Sequence, residues 1–176
     1  HRDLHKEYRR QRQMCIRDSV EMALTNMKSA GCWSLESVHL ATQEELAVLV
    51  RSSGYFNSKA RKLKAFAAHV MINYTGDLDL FALREMDYNQ ALEALLDLPG
   101  VGDKVANCVL LFSLDKMEAF PIDVWIERAI REWYFKEVAS LPTKTALRPW
   151  AQKRFGKYAG YANHYLFHNR RLQDKS

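Results

Sequence analysis

Lys104 and Asp123 have the residue types and the positions for nucleophilic chemistry. Lys104 follows the Gly-bearing turn LPGVG at residues 98–102 and lies on the first turn of an apolar helix. The positive end of that helix disfavours the charged form of the lysine, and a neutral amine is a nucleophile. Asp123 precedes the helical run VWIERAIREWYF, at a position where an N-cap carboxylate is stabilised. An anion fixed in this way can stabilise a developing cation.

Each of these residues also has a simpler interpretation. Lys104 can be a solvated or phosphate-pairing lysine, and Asp123 can be a helix cap alone. The turn itself suits a phosphate, because Gly100 and Gly102 permit positive φ and close approach of another backbone. The amides that follow Val101 and Gly102 are the unpaired donors of a new helix N-terminus. The residues taken singly leave these alternatives open.

The combination of LPGVGDKVA with PID resembles the helix-hairpin-helix and Gly/Pro-Asp signature of the HhH-GPD DNA glycosylase superfamily. That superfamily includes endonuclease III and 8-oxoguanine DNA glycosylase. The resemblance implies that Lys104 attacks the sugar C1′ of a damaged nucleotide to form a Schiff base. It implies that Asp123 supports the cationic sugar and the activation of the amine. Family members with this lysine usually also nick the strand by β-elimination, and their hairpin grips a DNA phosphate.

A second stretch, GYFNSKARKLK at residues 54–64, combines an aromatic residue on a Gly turn with a Lys/Arg cluster. Its structural interpretation is a helix C-cap followed by a basic helix with one face in the core. The same pattern suits DNA, because cations meet phosphates and a ring can wedge into a base stack. The turn is similar to that of endonuclease III, whose matching turn carries a hydrophobic wedge. The resemblance therefore puts the wedge on Tyr55 and further DNA contacts on Asn57 and Lys59.

The stretch FGKYAGYANHYLF at residues 155–167 carries aromatic residues at helical spacing. Such a stripe is more often core than binding site, and Tyr161, Tyr165 and Leu166 are predicted to include core residues. Cys108, one helical turn after Lys104, is by the same reasoning a small buried hydrophobe.

The resemblance narrows at this stretch to the bacterial-type 8-oxoguanine glycosylase/AP lyase branch. In that branch the matching helix lines the pocket for the flipped base. The resemblance implies that Asn163 reads the base edge and that Phe167 stacks on the base. It also implies that Cys108 packs against the other face of the purine and that Trp125 lies beside the pocket.

Several residues depart from that branch. Asn163 is a methylene shorter than the usual Gln, and Phe56 replaces an Arg that often contacts the estranged cytosine. Trp125 stands where some relatives have His. No cysteine follows Cys108, so the four-Cys iron–sulfur cluster of endonuclease III cannot be built. We therefore predict no cofactor and no metal site, apart from a possible monovalent cation on the hairpin carbonyls.

Composition predicts a globular protein of a reducing compartment. The 176 residues are 48% hydrophobic, and the three cysteines form neither a CxxC pair nor an even set. No apolar run approaches membrane-spanning length. These features predict an intracellular protein that does not bind membranes. The resemblance further implies a monomer in the cytoplasm, associated with the nucleoid.

Residues 1–19 do not resemble the remainder of the chain. They hold six Lys/Arg and three Asp/Glu, and so supply three of the five net positive charges. They are predicted to be a disordered basic arm or, because QMCIRDS resembles translated sequencing adapter, a non-native segment. Global charge is therefore weak support for nucleic-acid binding.

From residue 20 onward the pattern predicts an all-α fold. Thr42 with Glu45 predicts a capping box, and Asp87 with Gln90 predicts a second helix start. Residues 20–112 are expected to form a partial helical barrel lobe with the helix-hairpin-helix, and residues 113–176 a C-terminal helical lobe, with the active cleft between them. Relative to its family the chain is expected to lack the front of the fold.

The resemblance implies a bifunctional base-excision repair enzyme, a DNA glycosylase with AP lyase activity that removes 8-oxoguanine from duplex DNA. Two alternatives remain open. The substrate can be an alkylated purine or an oxidised pyrimidine, or the chain can be a non-catalytic helix-hairpin-helix DNA-binding fragment. Backbone binding requires neither Lys104 nor Asp123, which argues against the last of these.

Overall fold

A computed structural model describes residues 18–76, 78–136 and 142–173. These residues form helices and connecting turns without a strand, which confirms the predicted all-α fold. Within them the α-helices are α1 (residues 18–29), α2 (Leu35–Leu40), α3 (Gln43–Leu49), α4 (Phe56–Asn73), α5 (Tyr88–Leu96), α6 (Asp103–Phe112), α7 (Val124–Tyr134), α8 (Lys144–Phe155) and α9 (Ala159–Gln173). Short 3₁₀ turns cover Arg51–Ser53, Leu80–Arg84 and Gly156–Tyr158. None of the described helices is long and apolar enough to span a bilayer.

Two predicted helix starts are confirmed by their caps. Thr42 Oγ1 accepts from the Glu45 amide at 3.2 Å, and Glu45 Oε2 accepts from the Thr42 amide at 2.7 Å. That backbone hydrogen bond holds the pKa of Glu45 below its ordinary value. Asp87 Oδ1 accepts from the amides of Asn89 and Gln90, at 2.8 and 3.1 Å. The side chains of Thr42 and Asp87 thus fix where α3 and α5 begin.

The chain forms two compact units. The first comprises the residues up to Leu78 together with Leu98–Gly100. In it α4 packs against α2 and α3 around a core that includes Leu46, Ala60 and Ala67.

The predicted arm at residues 1–19 lies outside the described residues, except for its last two members. Residues 18 and 19 are helical and belong to α1. The carbonyl of Ser19 accepts a hydrogen bond from Ser52 Oγ at 2.7 Å. Residues 18 and 19 therefore belong to the helical fold and not to the predicted arm.

The second unit comprises Asp79–Asp97 and the chain from Val101 onward. In it α5 packs on α6, and α9 packs on α7 and α8. Its core includes Phe120, Ile130 and Leu147, all of them fully buried. This division differs from the predicted lobes at 20–112 and 113–176. Those lobes and the cleft between them stay predictions.

Helix α9 corrects part of the predicted aromatic core. Leu166 is buried as expected, whereas Tyr161 and Tyr165 are 54% and 73% exposed. The buried side of α9 starts with Gly160, where an added Cβ would lie 2.3 Å from Leu111 Cδ1. Tyr161 and Tyr165 share the other side of the helix, because residues four apart lie on one face. The close approach of Gly160 to Leu111 leaves no room for a large ring at this position on the buried side of α9.

Candidate active site

The turn between α5 and α6 presents unpaired amides. Gly102 is the N-cap of α6, and it provides no side-chain cap hydrogen bond. The first amides of α6 thus keep their donors, as at other helix N-termini that bind anions. Gly100 has φ +83°, and an added Cβ there would lie 3.1 Å from Lys62 Cβ, within the first unit. The positive φ at position 100 favours glycine, and an added Cβ would also require Lys62 to shift by a few tenths of an ångström.

We expect Gly100→Ala to destabilise the chain by about 1–2 kcal/mol, the cost of a left-handed L-residue. Gly102→Ala is the matched control, because Gly102 has extended backbone and nothing lies within 4 Å of its added Cβ. Thermal or urea unfolding of both variants measures the difference. Equal losses in the two variants would contradict this account of the turn.

A stripe of side chains along α6 starts with Lys104. Lys104 is exposed on the first turn, and it makes no hydrogen bond or ion pair with any described residue. Cys108 and Phe112 follow at successive steps of four residues, so the three side chains lie on one face. Cys108 is half-buried and is a free thiol. The amine is thus accessible at one end of a semi-apolar helix face.

This helix face lines a cavity of about 190 Å³ in the second unit. The other walls come from the segment before α7, from the start of α7 and from α9. The lining residues are Lys104, Cys108, Phe112, Pro121, Asp123, Ile126, Asn163, His164 and Phe167. The cavity therefore brings together both predicted chemical residues and three of the four predicted base contacts.

Asp123 is held at the cavity by its cap. Its Oδ1 accepts from the amide of Ile126 at 2.8 Å, which makes Asp123 the N-cap of α7 as predicted. Its Oδ2 has no hydrogen-bond partner among the described residues. Phe120 and Ile122 are buried just before it, so the segment that carries the carboxylate is packed in the core. One oxygen of Asp123 thus fixes the helix while the other can face a cation.

Glu127, one turn beyond Asp123, is a second carboxylate on α7. Burial raises the pKa of Glu127, but hydrogen bonds from Arg131 and Lys144 outweigh it and hold the pKa below its ordinary value. Arg131 and Lys144 lie 3.1 and 3.3 Å from the Glu127 oxygens. Glu127 is therefore an ionised structural partner and does not line the cavity.

Asn163 is 4% exposed and contacts the segment before Asp123. Its Nδ2 donates to the carbonyl of Pro121 at 2.8 Å. Its Oδ1 accepts no hydrogen bond from any described residue. The amide thus anchors α9 to this segment, and Oδ1 and the second Nδ2 hydrogen are left for a ligand. Its predicted role in reading a base stays a prediction.

Trp125 is the predicted base contact that does not line the cavity. It is half-buried on the first turn of α7, and the guanidinium of Arg128 lies 5.9 Å from its ring centroid. Each helical step turns a side chain by about 100°, so residue 125 faces away from the side that Asp123 and Ile126 share.

Three lining residues were not singled out in the sequence: Phe112, Ile126 and His164. Phe112 could have been found from the spacing of four that joins it to Lys104 and Cys108. No comparable signal marks His164, since its position depends on how α9 is rotated against α6 and α7.

The predicted DNA contacts Tyr55, Asn57 and Lys59 lie in the first unit, around the start of α4. Tyr55 is 91% exposed and has φ 47° and ψ 33°, a left-handed conformation that is unfavourable for an aromatic residue. Asn57 is exposed, and Lys59 Nζ donates to the carbonyl of Ser53 at 2.6 Å. Lys59 thus uses one of its donors to hold the turn. The DNA contacts themselves stay predictions.

The fold and the site together define a class of protein. In this class a helical fold carries a helix-hairpin-helix, and its lysine and a helix-capping aspartate line the same cavity. Within this class the chain belongs to the HhH-GPD superfamily of base excision DNA repair proteins, whose family model matches residues 13–152. This confirms the family recognised from the hairpin and PID motifs.

Curated relatives and solved structures share this fold. A probable N-glycosylase/DNA lyase of Methanothermobacter thermautotrophicus is 38% identical over 95 residues, which cover 54% of this chain and 30% of the relative. An N-glycosylase/DNA lyase of Arabidopsis thaliana is 36% identical over 50% of this chain and 25% of its own length. The Clostridium acetobutylicum 8-oxoguanine glycosylase/lyase, solved with DNA containing cytosine opposite 8-oxoguanine, superposes with a TM-score of 0.64 at 29% identity. The match covers 80% of this chain and 45% of that structure. The chain thus spans less than half the length of these proteins.

Proposed function

We propose that this chain carries the catalytic site of a base-excision repair DNA glycosylase with AP lyase activity, acting on 8-oxoguanine in duplex DNA. The observation that carries the proposal is the shared cavity of Lys104 and Asp123, with Cys108, Asn163 and Phe167 around it. Its volume of about 190 Å³ is below that of sites for drug-sized ligands, as suits one planar base. The named relatives and the solved neighbour act in the same reaction class.

The chemistry follows from the two residues. The Lys104 amine forms a bond to C1′ of the flipped nucleotide while the glycosidic bond breaks and the base leaves with its electron pair. Positive charge develops on the sugar in this step, and the Asp123 carboxylate stabilises it. Loss of a proton and ring opening give an imine between Lys104 and C1′. The imine permits β-elimination of the 3′ phosphate, and water then releases the lysine.

The partner is duplex DNA with a damaged base. The unpaired amides at the start of α6 suit a phosphate, and the basic start of α4, in the first unit, suits the DNA backbone. Such an enzyme is expected to work as a monomer on chromosomal DNA, in a cytoplasmic, nucleoid-associated location.

Borohydride trapping tests the proposal. The purified chain, first shown by circular dichroism to melt cooperatively, is mixed with a duplex holding 8-oxoguanine opposite C and with an abasic duplex. Reduction of the imine is expected to leave a covalent adduct on both. An adduct on the abasic duplex alone would support the AP lyase activity and indicate that the substrate is a lesion other than 8-oxoguanine. A folded chain with no adduct on either duplex would favour a DNA-binding module.

The Asn163 amide is compatible with a second lesion class. Its Nδ2 donates one hydrogen to the Pro121 carbonyl, which leaves one amide hydrogen and Oδ1 for a base edge. An alkylated purine or an oxidised pyrimidine also carries groups that hydrogen-bond to an amide, so this residue does not by itself select 8-oxoguanine. Base release measured on a panel of duplexes, each with one of these lesions, ranks the candidates.

We expect Tyr55→Gly to keep or raise stability while lowering activity on the intact lesion duplex about tenfold. Glycine adopts the left-handed conformation freely, and the exposed ring packs against nothing whose loss would destabilise the fold. The wedge, however, is gone, so flipping the base costs more. Melting temperature and single-turnover base release measure the two effects.

Tyr55→Phe is the control for this prediction, because it keeps the ring and the strained backbone. It is expected to match the wild type in both measurements. If Tyr55→Phe lost as much activity as Tyr55→Gly, the effect would belong to the tyrosine hydroxyl. The proposed role of the ring as a wedge would then be wrong.

A further inference from the structure

Asn107 is a fully buried amide on α6, on a different face from the stripe that lines the cavity. Its Nδ2 donates to the carbonyl of Asp103 at 2.9 Å. Its Oδ1 accepts from Tyr88 OH at 2.7 Å and from the amide of Phe120 at 3.3 Å. A backbone amide only donates and a carbonyl only accepts, so these partners fix which way the amide points. The buried polar group is thereby satisfied, and its loss would leave its partners unpaired.

These hydrogen bonds join the two pieces of chain that carry the reacting groups. Asp103 immediately precedes Lys104 at the start of α6, and Phe120 lies three residues before Asp123. Phe120 is itself fully buried, so its amide is held at a fixed place in the core. Asn107 is therefore a direct tie between the lysine helix and the aspartate segment.

Asn163, on α9, holds the same segment at Pro121, the residue after Phe120. Its Nδ2 donates to the carbonyl of Pro121, while Asn107 accepts from the amide of Phe120. Pro121 has no backbone N–H, so this stretch has one hydrogen-bond donor fewer with which to be held in place. Two side-chain amides from α6 and α9 thus set where the backbone before Asp123 runs.

Tyr88, Arg148 and Asp103 form a ring of polar groups with Asn107. Arg148 donates through NH1 to Tyr88 OH at 2.8 Å, and its NH2 lies 3.1 Å from Asp103 Oδ1. The side chain of Arg148 is 22% exposed and that of Asp103 is 50% exposed, so this ion pair lies at the edge of the ring. Hydrogen-bonded networks of this kind rigidify what they connect when every member is satisfied.

We propose that Asn107 is a positioning residue for the proposed reaction: by holding the Phe120 amide against α6, it sets the separation between the Lys104 amine and the Asp123 carboxylate. The inference rests on the proposed function. Asn107 touches no substrate, and it acts through the backbone at both ends of its hydrogen bonds. A displacement of about 1 Å between reacting groups can cost about a hundredfold in rate, so the tie matters for the chemical step more than for binding.

The test compares chemistry with binding in Asn107→Leu, which keeps the branching at Cγ and removes the hydrogen bonds. The single-turnover trapping rate on an abasic duplex, at saturating protein, is expected to fall about 10- to 100-fold. The Kd for a duplex with a non-reactive abasic analogue is expected to stay within about twofold, because the DNA-contacting residues are unchanged. Hydrogen exchange at residues 119–123 is expected to quicken.

Two further variants separate positioning from stability. Ile130→Ala removes a fully buried apolar side chain of the second unit and destabilises it without touching the polar ring. Below its melting temperature it is expected to trap at the wild-type rate. Asn107→Asp keeps both acceptor contacts of the amide and is expected to recover most of the rate that Asn107→Leu loses.

Several outcomes would overturn the inference. A folded Asn107→Leu that traps at the wild-type rate would do so, as would an equal rate loss in Ile130→Ala at matched destabilisation. If Asn107→Leu does not fold, Tyr88→Phe loosens the same amide. It is expected to slow trapping at least about threefold, and a wild-type rate would assign Asn107 to stability alone. A wild-type chain without any adduct would refute the proposed function. Hydrogen exchange would still show whether Asn107 holds the segment at residues 119–123 in place.

Discussion

Lys104→Gln is expected to abolish covalent trapping while keeping DNA binding. The variant loses the amine that forms the imine, and glutamine has no comparable nucleophile, so the trapping rate should fall at least about a thousandfold. Lys104 is exposed and has no partner among the described residues, so stability should stay within about 0.5 kcal/mol of the wild type. Trapping on an abasic duplex, a binding titration and a thermal melt check the three statements.

A second lysine provides a control that loses one positive charge without losing the nucleophile. Lys153→Gln makes the same change at an exposed position in the last turn of α8, outside the cavity. It should trap at the wild-type rate. If Lys104→Gln still forms the adduct, the nucleophile lies elsewhere and the cavity is a binding site only.

The local parts of the site could be predicted from the sequence. The N-cap role of Asp123 and the helix start before Lys104 depend on residues within one turn, where capping and turn rules hold. Cys108, Asn163 and Phe167 followed from the resemblance. All of these residues line the cavity in the structure.

The rest of the site depends on contacts between distant residues. Tyr88 and Arg148, which donate into the network at Asn107, are 60 residues apart in sequence. Nothing in the local pattern around either residue marks it as a partner. The exposure of Tyr161 and Tyr165 has the same origin, because periodicity shows that residues share a face but not whether that face is covered. Trp125 is not among the residues that line the cavity, and its predicted place beside the pocket stays a prediction.

Asp123→Asn is expected to separate the two jobs of this carboxylate. Asparagine is as good an N-cap as aspartate, and its Oδ1 can still accept from the Ile126 amide, so α7 should begin at the same place. The negative charge is lost, and with it the stabilisation of the cationic sugar. Base release in a single turnover should fall about 100- to 1000-fold at nearly unchanged melting temperature.

Asp87→Asn is a matched control, since Asp87 is another N-cap aspartate of the second unit and does not line the cavity. It should change neither activity nor stability. Asp123→Ala should lose the cap as well, at about 1 kcal/mol, and should be no more active than Asp123→Asn. If Asp123→Asn instead kept its activity and only Asp123→Ala lost it, Asp123 would be a helix cap without a charge role, and another anion would have to stabilise the sugar.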